Sequence, residues 1–324
     1  MVYWWQFLQW EAAMEILYFL EGIRMPVLNE CMLLITKLGE ETAFLVAALI
    51  VFWCVDKYKG YYLMAVGFIG TMANQILKLA CRVPRPWVLD ENFTILEQAR
   101  EAAAGYSFPS GHSQSAVGTF GGIAYTVKKK WVRGICIAVA VLVPVSRMYI
   151  GVHTPADVLV GSGMALALVF ALGKPVLSEK VRNMKILIAA MLAMATAFLV
   201  YVHAFPFPET MDPHNLESGT KNAYTMLGCL TGVAIVYLAE RRWVNFETKA
   251  LWWVQILKAV LGLATVLAVK EGLRGPLEWL LPVLPARAVR YFLIVVWAGF
   301  VWPSTFRFFA KLGVKHELRD NQKL

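Results

Sequence analysis

The 324-residue chain is 59% hydrophobic and only 16% charged, with a mean hydropathy of +0.56. A soluble domain runs near about 45–50% apolar and about 25% charged, so an ordinary soluble globule is excluded and an integral membrane protein is indicated. The formal charge of +9 reads as lysine and arginine gathered in cytoplasmic loops, where they fix orientation, rather than as a nucleic-acid surface.

The N-terminal stretch MVYWWQFLQWEAAMEILYFLEG lacks the basic start of a signal peptide and carries Glu11, Glu15 and Glu21. Its tryptophans at 4, 5 and 10 suit the headgroup zone, so an interfacial helix is expected there. Apolar runs follow at 30–55, 61–80, 113–127, 131–146, 156–172, 183–203, 221–239, 250–270 and 288–309. The fold expected is all-α, a polytopic transmembrane helical bundle of about nine spans. The runs at 113–127 and 131–146 are short and need polar residues at their ends to complete a crossing. Five cysteines, at 31, 54, 81, 136 and 229, show neither metal-ligand nor disulfide spacing and read as small buried hydrophobes.

Alternate connections differ in charge. Those at 56–60, 128–133, 173–185 and 239–250, with the tail from Arg307, carry 18 lysines and arginines in total; those at 1–30, 78–113, 146–157, 203–221 and 270–290 carry 11. The positive-inside rule puts the first set in the cytoplasm, with the N-terminus outside and the C-terminus cytoplasmic. The polar stretches 78–113 and 146–157 then share the outer face.

Those two stretches hold three motifs: KLACRVPRP from Lys78 to Pro86, FPSGHS from Phe108 to Ser113, and SRMYIGVHTPAD from Ser146 to Asp157. Each has a plain reading by itself. Lys and Arg at a span end snorkel to the interface. Pro-Ser-Gly before a helix is a helix start with serine as cap, and Thr154, Pro155 and Asp157 fit the N-cap, N1 and N3 positions of the next helix. Together they say more. Three cations, two histidines and one carboxylate collect on one face beside two helix N-termini, which suits a phosphate group. A charge at the bilayer centre costs roughly 3 kcal/mol or more, a cost these residues avoid by sitting at helix ends near water.

K-x6-RP at Lys78–Pro86, PSGH at Pro109–His112 and SR-x5-H-x3-D at Ser146–Asp157 match without a gap the three-part signature of the type-2 phosphatidic acid phosphatase superfamily. The chain resembles that superfamily over about 80 residues. Its members include glucose-6-phosphatases, sphingosine-phosphate phosphatases, bacterial undecaprenyl diphosphate phosphatases and vanadium haloperoxidases. The resemblance implies His153 as nucleophile, forming a phosphohistidine, with Asp157 orienting its ring. It implies His112 as general acid for the leaving alkoxide and then as base for water. Lys78, Arg85 and Arg147 would hold the phosphoryl oxygens, helped by the Ser110 hydroxyl and the Gly111 backbone N–H, with no metal and no cofactor. Ser146 and Tyr149 are read as structural.

A single domain over 1–324 is expected, with the catalytic core at about 28–205 and additional spans at about 206–324. The activity implied is hydrolysis of a lipid phosphate monoester or diphosphate at the outer face of a membrane, the bacterial plasma membrane in a chain this short of loops. The partners implied are the bilayer and a phosphorylated lipid, with a homodimer allowed and no nucleic acid. The segment 86–108 is the expected substrate filter, with a short amphipathic helix near 93–104 as a lid or as a simple connector. A glucose-6-phosphatase-like sugar phosphate phosphatase is the alternative, since the nine-span layout is similar to that group. A non-enzymatic lipid-phosphate or anion transporter is less favoured, because the charges lie at span ends and no inverted repeat is evident.

Overall fold

The computed structural model describes residues 2–103, 105–209, 211–310 and 312, and every regular element in them is helical. In chain order the helices are α1 (Val2–Gly22), α2 (Pro26–Lys37), α3 (Glu41–Ile50), α4 (Lys57–Cys81), the short α5 (Pro86–Leu89), α6 (Gly111–Thr126), α7 (Lys130–Tyr149) and α8 (Pro155–Leu177). There follow α9 (Val181–Ala204), α10 (Pro213–Ala239), α11 (Trp252–Gly272), α12 (Arg274–Leu280), α13 (Val283–Val296) and α14 (Trp302–Ser304). Helix starts are written in the sequence. Asp56 Oδ1 accepts from the Tyr58 and Lys59 N–H groups, and Asp212 Oδ1 from His214 N–H, ahead of α4 and α10. Pro26, Pro86, Pro155 and Pro213 occupy first-turn positions, where a missing N–H costs nothing.

Among the described residues seven helices are long and apolar enough to cross a membrane, and an eighth crossing results if α2 and α3, bent by 54° at residues 38–40, count as one broken span. The remaining apolar run, 113–127, is α6, only 16 residues long. Its shortness has a physical reason. Every residue from Ser113 to Thr119 is buried, so the first half of the helix is enclosed by protein and need not present an apolar face to lipid. The outer helices do present one: Leu159, Phe170, Ile186 and Val200 are all exposed. The side chains of residues 1–10, and with them the expected tryptophan anchors of α1, lie outside the described residues, as does the tail beyond 312.

The expected lid helix near 93–104 is not an α-helix. The segment holds two 3₁₀ turns, Glu97–Ala99 and Glu101–Ala103, with Ala104 outside the described residues. Ala99 and Ala103 pack with Tyr149, Ile150 and Val152 instead of forming a continuous amphipathic stripe.

The chain divides into two compact units. One comprises residues 1–45, 63–174 and 208–219 and contains all three motifs. The other comprises 46–62, 175–207 and 220–324. In the second, α10 meets α13 through Gly228 and Gly232, a small-xxx-small pair: a side chain at Gly228 would collide with the Ala288 carbonyl. Three single π-helical turns, Val51–Val55, Glu240–Val244 and Trp297–Val301, also fall in this unit. The Trp53 indole N–H donates to Ala298 O (2.8 Å), and buried Glu240 pairs with Lys57 at 3.1 Å.

Candidate active site

The first motif closes α4 and turns the chain back on itself. Lys78 lies in the last turn of α4, and Arg82 adopts a left-handed conformation (φ 52°) that ends the helix. The Arg85 side chain then returns inward. Its Nε donates to Gly105 O (2.9 Å) and its Nη1 to Val152 O (2.8 Å), and Nη1 lies 2.9 Å from His153 Nε2. Lys78 Nζ donates to the carbonyls of Tyr106 (2.5 Å) and Ser107 (3.3 Å), tying the first motif to the approach of the second.

The second motif follows a cis Phe108–Pro109 peptide. Ser110 N–H donates to Asp157 O (2.9 Å), and Ser110 Oγ caps α6 by accepting from Ser113 N–H (3.3 Å) and the Ser113 hydroxyl (2.9 Å). Gly111 and His112 are thereby delivered as the first residues of the helix.

The third motif spans the turn from α7 to α8. Gly151 sits at φ +88°, and a side chain there would also press on Arg24, Phe93 and Thr94. Thr154 and Asp157 form a reciprocal capping box: Thr154 N–H donates to Asp157 Oδ2 (2.8 Å), and Asp157 N–H to Thr154 Oγ1 (3.3 Å). The plain helix-start reading of these residues and the chemical one therefore coexist. The same Asp157 Oδ2 lies 3.4 Å from His153 Nδ1. Tyr149 and Ser146 bond to Asn29 and to the Val143 carbonyl, as structural residues do.

Lys78, Arg85, Gly111, His112, Arg147 and His153 all line one cavity of about 230 Å³. Ser110 and Asp157 lie behind its wall, where they hold the helix start and the His153 ring. Arg147 donates from Nη1 to Thr36 Oγ1 (2.9 Å), and its buried Nε has no partner among the described residues. Burial first, then the Arg85, Arg147 and Lys78 charges, hold His153 well below the usual imidazole range. The His153 imidazole is therefore neutral near pH 7, in a pocket whose fixed charge is positive. His153 in that state carries a ring lone pair, which faces Arg85 Nη1 at Nε2, and the arrangement invites a phosphate dianion.

Several residues absent from the motifs belong to the site. Ser107 is completely buried, and its hydroxyl donates to Asp157 Oδ2 (2.5 Å) while its oxygen lies 3.4 Å from His153 Nδ1. Asn74, one helical turn before Lys78, donates to Pro109 O (3.3 Å). Gly39, Glu41, Thr71, Gln75, Gln114 and Ser115 complete the lining. One sequence signal pointed to part of this: KLGEET at 37–42 interrupts an otherwise apolar run, where the structure places the break between α2 and α3.

Residues 58–177 match the PAP2 superfamily, and residues 224–315 match the PAP2 superfamily phosphatase transmembrane extension. Phosphatidylglycerophosphatase B of Bacillus subtilis is 34% identical over 161 residues, covering 46% of this chain and 75% of that protein. The undecaprenyl-diphosphatase of Sulfolobus acidocaldarius is 30% identical over 139 residues, covering 43% of this chain and 66% of that protein, just under two thirds of its length. The crystal structure of a transmembrane PAP2-type phosphatidylglycerolphosphate phosphatase from Bacillus subtilis is 32% identical, covers 53% of this chain and 86% of its own, and superposes with a TM-score of 0.45.

Proposed function

The chain belongs to the PAP2 superfamily, and from that premise we propose that it is a metal-independent membrane phosphatase acting on a lipid phosphate through a phosphohistidine. The observation that carries this reading is the convergence of Lys78, Arg85, Arg147, His112 and His153 on one cavity, with Asp157 behind His153.

In the reaction His153 Nε2 attacks phosphorus and the bond from phosphorus to the leaving oxygen breaks. Asp157 accepts from Nδ1–H, which directs the Nε2 lone pair into the cavity and offsets the positive charge that forms on the ring. Charge spreading over the three equatorial oxygens meets Lys78, Arg147 and the Gly111 N–H, joined by Arg85. Arg85 Nη1, now on Nε2, moves to a phosphoryl oxygen and uncovers the nucleophile. His112 gives its proton to the leaving alkoxide; it then takes one from water, which breaks the P–N bond and releases inorganic phosphate. Ser110 supports this as the cap that aims Gly111 and His112.

In the membrane, the enclosed α6 counts as a ninth crossing, α1 lies along the interface, and the C-terminus is cytoplasmic. The active site then faces outward. The excess of lysine and arginine in the alternate connections supports this orientation. A single catalytic domain with a C-terminal extension fits the two family matches.

The test is phosphate release by detergent-purified protein with EDTA present, beside His153→Ala. The panel holds phosphatidate, phosphatidylglycerophosphate, sphingoid-base phosphate, undecaprenyl diphosphate and glucose 6-phosphate. Release from a lipid that vanishes in the variant is expected. Release from glucose 6-phosphate alone, or equal release by the variant, overturns the reading.

A further inference from the structure

The cavity extends past the phosphate-binding groups. Beyond His112 on α6 lie Gln114 and Ser115, and before Lys78 on α4 lie Thr71 and Gln75, with Glu41 completing that part of the lining. Ser115 is three residues from His112 and Gln75 three from Lys78, so each lies on the same helix face as its catalytic neighbour. The Gln114 amide nitrogen and the Ser115 hydroxyl are buried, and neither has a partner among the described residues. Native proteins leave such groups unpaired where something else completes them. The space for Gln114 is also built: its amide lies directly over Gly70, where any side chain would collide with it.

We infer that this polar wall binds the leaving group, and that it selects phosphate monoesters carrying a free hydroxyl on the carbon next to the ester, over diphosphates. The inference rests on the phosphatase reading above. In-line displacement puts the nucleophile and the leaving oxygen on opposite sides of phosphorus. With His153 attacking and His112 protonating, the carbons behind the leaving oxygen face the residues beyond His112. Those residues supply donors (Gln114, Ser115, Thr71) and acceptors (Gln75, Glu41), the mixture a hydroxyl uses in both directions. All three cations of the lining are the ones assigned to the phosphate being cleaved. A diphosphate would place its second phosphate here, beside the Glu41 carboxylate and without a cation of its own. A free lysolipid phosphate and a soluble polyol phosphate share the hydroxyl chemistry, and the experiment separates them.

The measurement is kcat/KM of wild-type enzyme in mixed micelles on 1-acyl lysophosphatidate and its 2-deoxy analogue, which differ by one hydroxyl. Farnesyl monophosphate against farnesyl diphosphate, and glycerol 3-phosphate alone, complete the set. A site built to bond a hydroxyl rejects the analogue lacking it strongly, so a preference of about tenfold or more is expected. Farnesyl monophosphate should exceed the diphosphate. Gln114→Leu should cut the hydroxyl preference to below about threefold, and Gly70→Ala, which displaces the amide without removing it, should lower it as well. Glycerol 3-phosphate turned over as well as the lysolipid supports the same subsite with a soluble source. Equal rates on the deoxy pair, or a diphosphate preferred, overturns the inference and leaves the phosphatase reading standing. No release from any of these substrates overturns both.

Discussion

The Ser107 hydroxyl donates to Asp157 Oδ2 over 2.5 Å while its oxygen stands 3.4 Å from His153 Nδ1, so one buried serine touches both members of the His–Asp pair. Its single proton goes to the carboxylate, which leaves an oxygen lone pair turned toward the imidazole. Ser107 thereby fixes both groups at once.

Ser107→Ala removes a hydrogen bond to a charged group, worth about 1.5–3 kcal/mol. If that bond is realised in the transition state, kcat should fall by about ten- to a hundredfold with KM little changed. Steady-state kinetics on the best lipid substrate measures it. An unchanged kcat would show that Asp157 holds the ring unaided.

The depressed His153 sets the pH profile. Burial and the neighbouring cations hold it well below the usual imidazole range, so the nucleophile stays unprotonated into mildly acid solution. The profile of kcat/KM should therefore show no enzyme limb near about pH 6.5. A limb at the ordinary imidazole value that stays fixed across substrates of different acidity contradicts this. The sign for stability is also defined. Folded His153, its value lowered, binds fewer protons than the unfolded residue below about pH 6.5, so the thermal midpoint should drop as pH falls below that value.

Arg24 is a tie between two loops. Its Nε donates to Tyr149 O (3.0 Å) and its Nη1 to Thr94 O (2.9 Å), so it joins the segment at 93–95 to the turn that presents His153. Arg24→Met should lower the thermal midpoint by a few degrees, since each bond contributes about 1 kcal/mol. It should also reduce kcat through a displaced His153. Differential scanning fluorimetry and turnover, measured on the same preparation, give both readings.

The Lys57–Glu240 pair offers a double-variant test. Glu240 is buried, and its Oε1 also accepts from Phe246 N–H (3.2 Å). Removing one partner leaves the other unpaired, at a cost of about 3–5 kcal/mol for a fully buried pair. Lys57 is partly exposed, which places this pair below that range. Glu240→Leu alone should lower the thermal midpoint more than Glu240→Leu combined with Lys57→Met. The reverse order would mean that Glu240 acts through Phe246 alone.

What the sequence made legible was chemistry held at short spacing. Lys78 and Arg85, Gly111 and His112, and His153 and Asp157 sit within a few residues of each other, so local geometry alone brings each set together. The Thr154–Asp157 cap was readable for the same reason. What stayed hidden depends on the long-range fold. Thr36 reaches Arg147 across 111 residues, and Ser107 reaches Asp157 across 50. Apolar periodicity also says nothing of a helix whose first turns are buried on every side: α6 reads as a short span, and only its neighbours explain why Gln114 and Ser115 can sit inside it. The residues at 93–104 have helix-forming composition, yet packing of Ala99 and Ala103 against Tyr149 and Ile150 overrides it.

The π turns at 51–55, 240–244 and 297–301 bear on how this protein is compared with its relatives. A π turn absorbs one residue more than an α turn, so the helix beyond it is rotated by roughly 100° against an uninterrupted helix. Relatives without these turns should align only with a single-residue gap inside a helix, where gaps are ordinarily disallowed. A helical wheel drawn straight through 41–55, 213–244 or 283–301 would assign the wrong face to lipid at one end. The register has to be restarted at each turn.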